Sequence, residues 1–144
     1  MFLRFLRFTA VLAIAAIMTA ALSMAKDGRD FAGFYKIANV AESGGRIELT
    51  LTLQIYNYSD ADLNQAVVAV HASNPGTEVL ATFAPVELWR KGSDAILTQT
   101  ISIPKDEYDR WTHDQPAITI TYSDADRQEW QRTAQLSERA ALPL

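Results

Sequence analysis

Four aspartates at a repeated spacing carry the most chemistry this chain offers. Asp60 and Asp62 close the segment Tyr58-Ser59-Asp60-Ala61-Asp62, and Asp124 and Asp126 close its second copy, Tyr122-Ser123-Asp124-Ala125-Asp126. Carboxylates on two neighbouring loops are the hard oxygen ligands that calcium takes, with backbone carbonyls and water completing its shell. Neither copy has the Asp-x-Asp-x-Asp-Gly spacing of a dedicated calcium loop. The same residue types also do plainer work, because Ser and Asp side chains hydrogen-bond nearby backbone amides and stabilise turns without a metal. The expectation is therefore turn chemistry and no cofactor, with calcium at Asp60, Asp62, Asp124 and Asp126 as the alternative.

Other reactive residues are scattered. His71 ends an apolar run, and His113 stands beside Asp114. A Ser–His–Asp hydrolase needs a positioned nucleophile, base and orienter. The chain has no Gly-x-Ser-x-Gly and no cysteine, and two isolated histidines make a poor zinc site. Glu107 with Asp109, and Asp94 with Glu129, are the pairs a glycosidase reading would use, but that mechanism needs a sugar-sized cleft between its carboxyls. Trp89, Trp111 and Trp130 with Tyr35, Tyr56 and Tyr58 offer a platform for carbohydrate or peptide if several share one exposed face. The plainer expectation puts Trp111 at the bottom of the core and the other two tryptophans along edges. Tyr56 shares parity with Glu48 and Gln54, so it is expected to be exposed. Asn57-Tyr58-Ser59 matches a glycosylation acceptor.

The elements that must position these residues are strands. From Arg46 to Asn57, Ile47, Leu49, Leu51, Leu53 and Ile55 alternate with Glu48, Thr50, Thr52, Gln54 and Tyr56. That period of two predicts a central strand with one face in the core and one in water. Phe31–Ala41 precedes it across Glu42-Ser43-Gly44-Gly45, where the glycine pair suits a tight hairpin. The run 66–70 is apolar and β-branched. Asn74-Pro75-Gly76 is a turn, and Glu78–Phe83 and Val86–Trp89 are short strands broken by Pro85, which suggests an edge. Ala95–Ile103, Pro116–Tyr122 and Glu129–Leu136 complete the set, the last with its face left open because the apolar parity takes in Arg132. Pro104 at a first helical position, with Asp106 and Glu107 in the first turn, predicts a short helix through about Trp111. Both pentapeptide copies then fall on turns between strands. In a seven-stranded sandwich they are the B–C and F–G turns, at one end of the fold.

The fold class that follows is all-β: an antiparallel immunoglobulin-like sandwich of seven to eight strands with one short helix. Strand count and spacing over residues 31–136 resemble the immunoglobulin and fibronectin-type-III group. Ile103-Pro104-Lys105-Asp106-Glu107-Tyr108, ahead of the penultimate strand, is similar in place to that group's tyrosine corner. The cysteine pair and tryptophan spacing of true immunoglobulin domains are absent. The resemblance implies a fold and a role in binding or spacing, and it carries over no functional residue.

Residues 1–25 have the layout of a secretory signal peptide. Arg4 and Arg7 precede an uncharged apolar stretch, and Ser23-Met24-Ala25 supplies small residues at a cleavage site before Lys26-Asp27. The expected organisation is a signal peptide over 1–25, a sandwich over 26–137 and a loosely held tail over 138–144. Without residues 1–25 the chain carries 11 basic against 17 acidic residues, a net charge of −6. An acidic domain with scattered Lys and Arg does not suit nucleic acid or anionic membranes. The expectation is an exported protein, periplasmic or extracellular, without enzymatic activity and with no membrane span after cleavage. Its expected partner is another envelope protein.

Overall fold

Ile47, Leu49, Leu51, Leu53 and Ile55 are all nearly or wholly buried, and they make β2 (Arg46–Asn57) the spine of the molecule. In the computed structural model, which describes residues 30–72 and 78–139, it is flanked by β1 (Phe31–Ser43) and β6 (Asp94–Pro104). The remaining strands are β3 (Leu63–His71), β4 (Val79–Thr82), β5 (Val86–Trp89), β7 (Ala117–Ser123) and β8 (Glu129–Glu138). One helix, α1 (Lys105–Trp111), follows β6. The described chain is mostly β, as its alternation requires. Pro104 precedes the helix in an extended conformation rather than opening it, and Asp106 and Glu107 occupy its first turn.

All eight strands belong to one sheet, in the order β4-β3-β7-β8-β1-β2-β6, with β5 also on β3. The sheet curls over a single core to which β2, β3, β7 and β8 all contribute. β4 covers Ala69–His71 and β5 covers Leu63–Ala66 of the same β3 edge, so together they act as one strand broken at Pro85. The expected antiparallel pairing holds for every ladder among the described residues but one. β1 runs parallel to β8, with Ala32–Tyr35 against Gln135–Glu138. That ladder joins the two halves of the sheet.

Several local expectations are corrected. The outer face of β2 is only partly in water: Glu48 is exposed, but Thr52 and Gln54 are only 9% and 5% exposed. Their cross-strand neighbours Lys36, Phe34, Thr98 and Ile96 lie over them, because β2 has a strand on both sides. Arg132 does share the buried face of β8 with Ala134 and Leu136, and its guanidinium lies 4.7 Å from the centre of the Trp130 ring. Ser137 and Glu138 pair with β1, and Arg139 stacks on Phe34 at 3.4 Å. Residues 140–144, the proposed leader over 1–25 and the turn at Asn74-Pro75-Gly76 lie outside the described residues. The glycine hairpin forms as expected, with Gly44 and Gly45 at φ of 60° and 76°. Among the described residues no helix is long and apolar enough to cross a membrane.

Register fixes which loops meet. Tyr56 lies opposite Asp94, Leu63 opposite Trp89, and Asn64 opposite Ser123. The β2–β3, β5–β6 and β7–β8 loops therefore leave the same end, the loop end. The β1–β2 hairpin and α1 lie at the other end, the foot.

Candidate functional site

Both aspartate-bearing loops stand at the loop end, but the identical pentapeptides are built differently. β2 enters its copy with Ile55 and Asn57 inward, which leaves Tyr58 59% exposed beyond the strand. β7 enters its copy with Ile118, Ile120 and Tyr122 inward, so Tyr122 is buried and Ser123 is still in the strand. A shift of one residue in parity exchanges the faces.

The first loop is organised by Asn57, which is fully buried. Its Nδ2 donates to the Ala61 and Trp89 carbonyls at 3.0 and 3.2 Å, and its Oδ1 accepts from Ser59 N and Oγ at 3.0 and 2.6 Å. The amide nitrogen that a glycan would need is thus committed inside the fold. Asp62 accepts from the Lys91 amide at 2.9 Å, tying this loop to the β5–β6 turn. Asp60 is exposed beside a shallow hollow lined by Tyr58, Lys91 and Gly92. In the second loop Asp124 does the work. Its Oδ1 accepts from the Asp126 and Gln128 amides, both at 2.9 Å, and its Oδ2 accepts from Trp130 Nε1 at 2.8 Å. The Trp130 bond first, and the Gln128 and Asp126 amides after it, hold the Asp124 carboxyl below the usual carboxylate range. Asp126 is exposed. Among the described residues no three His, Cys, Asp or Glu side chains gather where they could hold a metal ion.

The remaining candidates stand apart. His71 bonds Thr119 Oγ1 across the β3–β7 ladder at 2.7 Å, and His113 is exposed after α1. Glu107 is buried, with Oε1 accepting from Trp111 Nε1 at 2.9 Å, whereas Asp109 is exposed on the same helix. Asp94 opens β6 and Glu129 opens β8, with β1 and β2 between those strands. Trp111 is buried against the core as expected. Trp89 stands on the edge strand β5 but is not exposed there: it is 1% exposed, packs on Phe31 and donates to the Ser93 carbonyl. Tyr56 is half-buried, because it stacks on Tyr58 with centroids 5.7 Å apart and receives a hydrogen bond from Gln54. Tyr108 sits in α1, ahead of β7 and part-buried against the core.

The feature with clearest binding chemistry is one the residue types did not single out. β6 is the last strand of the sheet, and its side away from β2 has no ladder partner among the described residues. Asn57 N donates to Ser93 O, and Lys105 N donates to Gly45 O. Pairing in this ladder therefore uses the odd-numbered residues of β6. The N–H and C=O groups of Ile96, Thr98 and Thr100 and the N–H of Ser102 point the other way, while the Ser102 carbonyl accepts from Arg46 Nη2 at 2.8 Å. The register is unbroken along the strand, and no charged residue or proline occurs from Ala95 to Ile103. Proteins ordinarily guard such an edge with charge, proline or a bulge. The opposite edge shows those devices, with Pro85 and Glu87. The charge-free run from Ala95 to Ile103 was the signal available in the sequence, but only topology reveals that the strand is terminal.

No protein-family model matches this chain, and no curated protein matches it. Among solved structures it is similar to the GH20 exo-β-N-acetylglucosaminidase of Vibrio harveyi, in an inactive mutant and in a complex with N-acetylglucosamine. Each shows 14% identity and a TM-score of 0.45 over 80% of this chain. This chain spans only 19% of that enzyme's length. It is also similar to the N-terminal domain of PorA, at 9% identity and a TM-score of 0.30, covering 76% of this chain and 88% of that one. At these scores the likenesses bear on neither mechanism nor ligand.

Proposed function

We propose that this chain is an exported, non-catalytic β-sandwich module of immunoglobulin type that binds another envelope protein along the free edge of β6. The leader-like pattern of residues 1–25 supports export. The strand order supports the fold type. β1, β2 and β6 stand together as strands A, B and E do in that group, and β3, β7 and β8 as C, F and G. The separation of the histidines and of the acid pairs supports a role without catalysis. The observation that carries the reading is the unguarded edge of β6, whose outward amides and carbonyls are a template for an added strand.

The test is photocrosslinking in the producing cell. A crosslinking residue at Thr98 is expected to capture one protein of the envelope fraction, whereas the same residue at exposed Gln131 on β8 captures none. No product from Thr98, or the same products from both positions, would contradict the reading.

A further inference from the structure

We propose that the cleft between β6 and β4 receives an extended polypeptide segment that carries a cationic residue at its N-terminal end. Its backbone pairs with β6, and the cation sits in an acidic pocket at the foot of the cleft. The inference rests on the reading of β6 as a binding edge, and it adds the direction and chemistry of what binds there.

The cleft is under-filled on its inner side. Ala95, Leu97 and Gln99 share the inward parity of β6, yet they are only half-buried. Leu51, Leu53 and Ile55, the residues beside them on β2, have no exposure at all. Across the cleft, Leu80 and Val86 are also partly buried. β4 and β5 approach β6 here without forming a ladder to it. An added strand would satisfy the outward groups of Thr98 and Thr100 and would cover Leu97 with alternate side chains.

At the foot, the cleft ends in a pocket of about 340 Å³ lined by Glu78, Leu80, Pro104, Asp106, Glu107 and Arg110. Arg110 Nε lies 3.7 Å from Glu107 Oε2, and Trp111 holds the other oxygen of that carboxyl. Glu78 and Asp106 remain as exposed acids on the two walls. Three acidic side chains against one guanidinium attract a cation and repel an anion. β6 runs from the loop end to the foot, so an antiparallel segment begins at the foot. Antiparallel pairing is the more stable arrangement per residue. The cation therefore belongs at the segment's N-terminal end.

Two N-acetylated, C-amidated peptides of about seven residues test this, since that length matches a typical strand. One has lysine followed by alternating valine and threonine, and the other has glutamate in place of lysine. Binding to the full chain is read by calorimetry. The lysine peptide is expected to bind at least about tenfold tighter, a preference of ~1.4 kcal/mol. Glu78→Gln with Asp106→Asn should erase that preference. Thr100→Pro, or Thr98→Pro if the first does not fold, should abolish binding of both peptides while the melting temperature confirms the fold. Equal affinities, a preference that survives the double substitution, or no binding of the lysine peptide would overturn the inference and leave the crosslinking result to decide the wider reading. Unchanged binding to a folded proline variant would overturn the edge itself.

Discussion

Asn57 is the residue on which the first aspartate loop depends. Replacing it with alanine strands the Trp89 carbonyl and the Ser59 amide beside a fully buried site and leaves the Ala61 carbonyl with Ser59 Oγ alone. Buried polar groups left without partners cost 1–3 kcal/mol each, so Asn57→Ala is expected to lower stability by about 3 kcal/mol in urea denaturation. Asp60→Ala, at an exposed position of the same loop, should change it by no more than about 0.5 kcal/mol. In the second loop the roles invert, and Asp124 is the anchor. Its carboxyl pKa lies below the ordinary value, principally through the Trp130 bond. Its stabilising contribution is present above the unfolded pKa and is lost as pH falls through the lowered folded value. Asp124→Asn should therefore flatten the acid limb of stability against pH relative to the unaltered chain. The repeat was legible as two turns at one end of the fold. Its unequal construction was not, because it follows from which parity each strand brings into the turn.

At the scale of elements, β2 and β6 show what alternation does and does not reveal. The apolar parity of β2 was plain from Ile47 to Ile55, and those residues form the core. The burial of Thr52 and Gln54 was not, since it comes from neighbours on both sides. Leu51→Asp is accordingly expected to prevent folding, because a lone carboxylate in the core must be desolvated or neutralised. β1 passes β2 so closely at Gly33 that a side chain there would run into the Gln54 carbonyl. Gly33→Ala should therefore cost about 3 kcal/mol, as overpacking a rigid contact does. In β6, Gln99→Pro removes an amide used by the β2 ladder and should destabilise by about 3 kcal/mol or more. Thr100→Pro removes an outward amide at an edge, where proline is tolerated, and should cost about 1 kcal/mol or less. A matched pair of melting curves checks this contrast.

At the scale of the whole molecule, local patterning determines, among the described residues, a mostly β structure with one short helix, while the order of strands is a long-range property. The parallel ladder between β1 and β8 joins residues about a hundred positions apart in the chain, and no local signal announces it. Only that order makes β6 terminal and sets its unguarded edge opposite β4 and β5. The loop end, by contrast, has its anchoring carboxylates taken up by backbone amides, so calcium added at millimolar concentration should leave the melting temperature unchanged. The most direct test of the central claim is amide hydrogen exchange along β6 in the free, full chain. The amides of Leu97, Gln99 and Ile101 should exchange at least about a hundredfold more slowly than those of Ile96, Thr98, Thr100 and Ser102, because only the first set is bonded to β2. Equal protection of both sets would mean that the outer edge is already covered, and it would contradict the claim that β6 is free to take a partner strand.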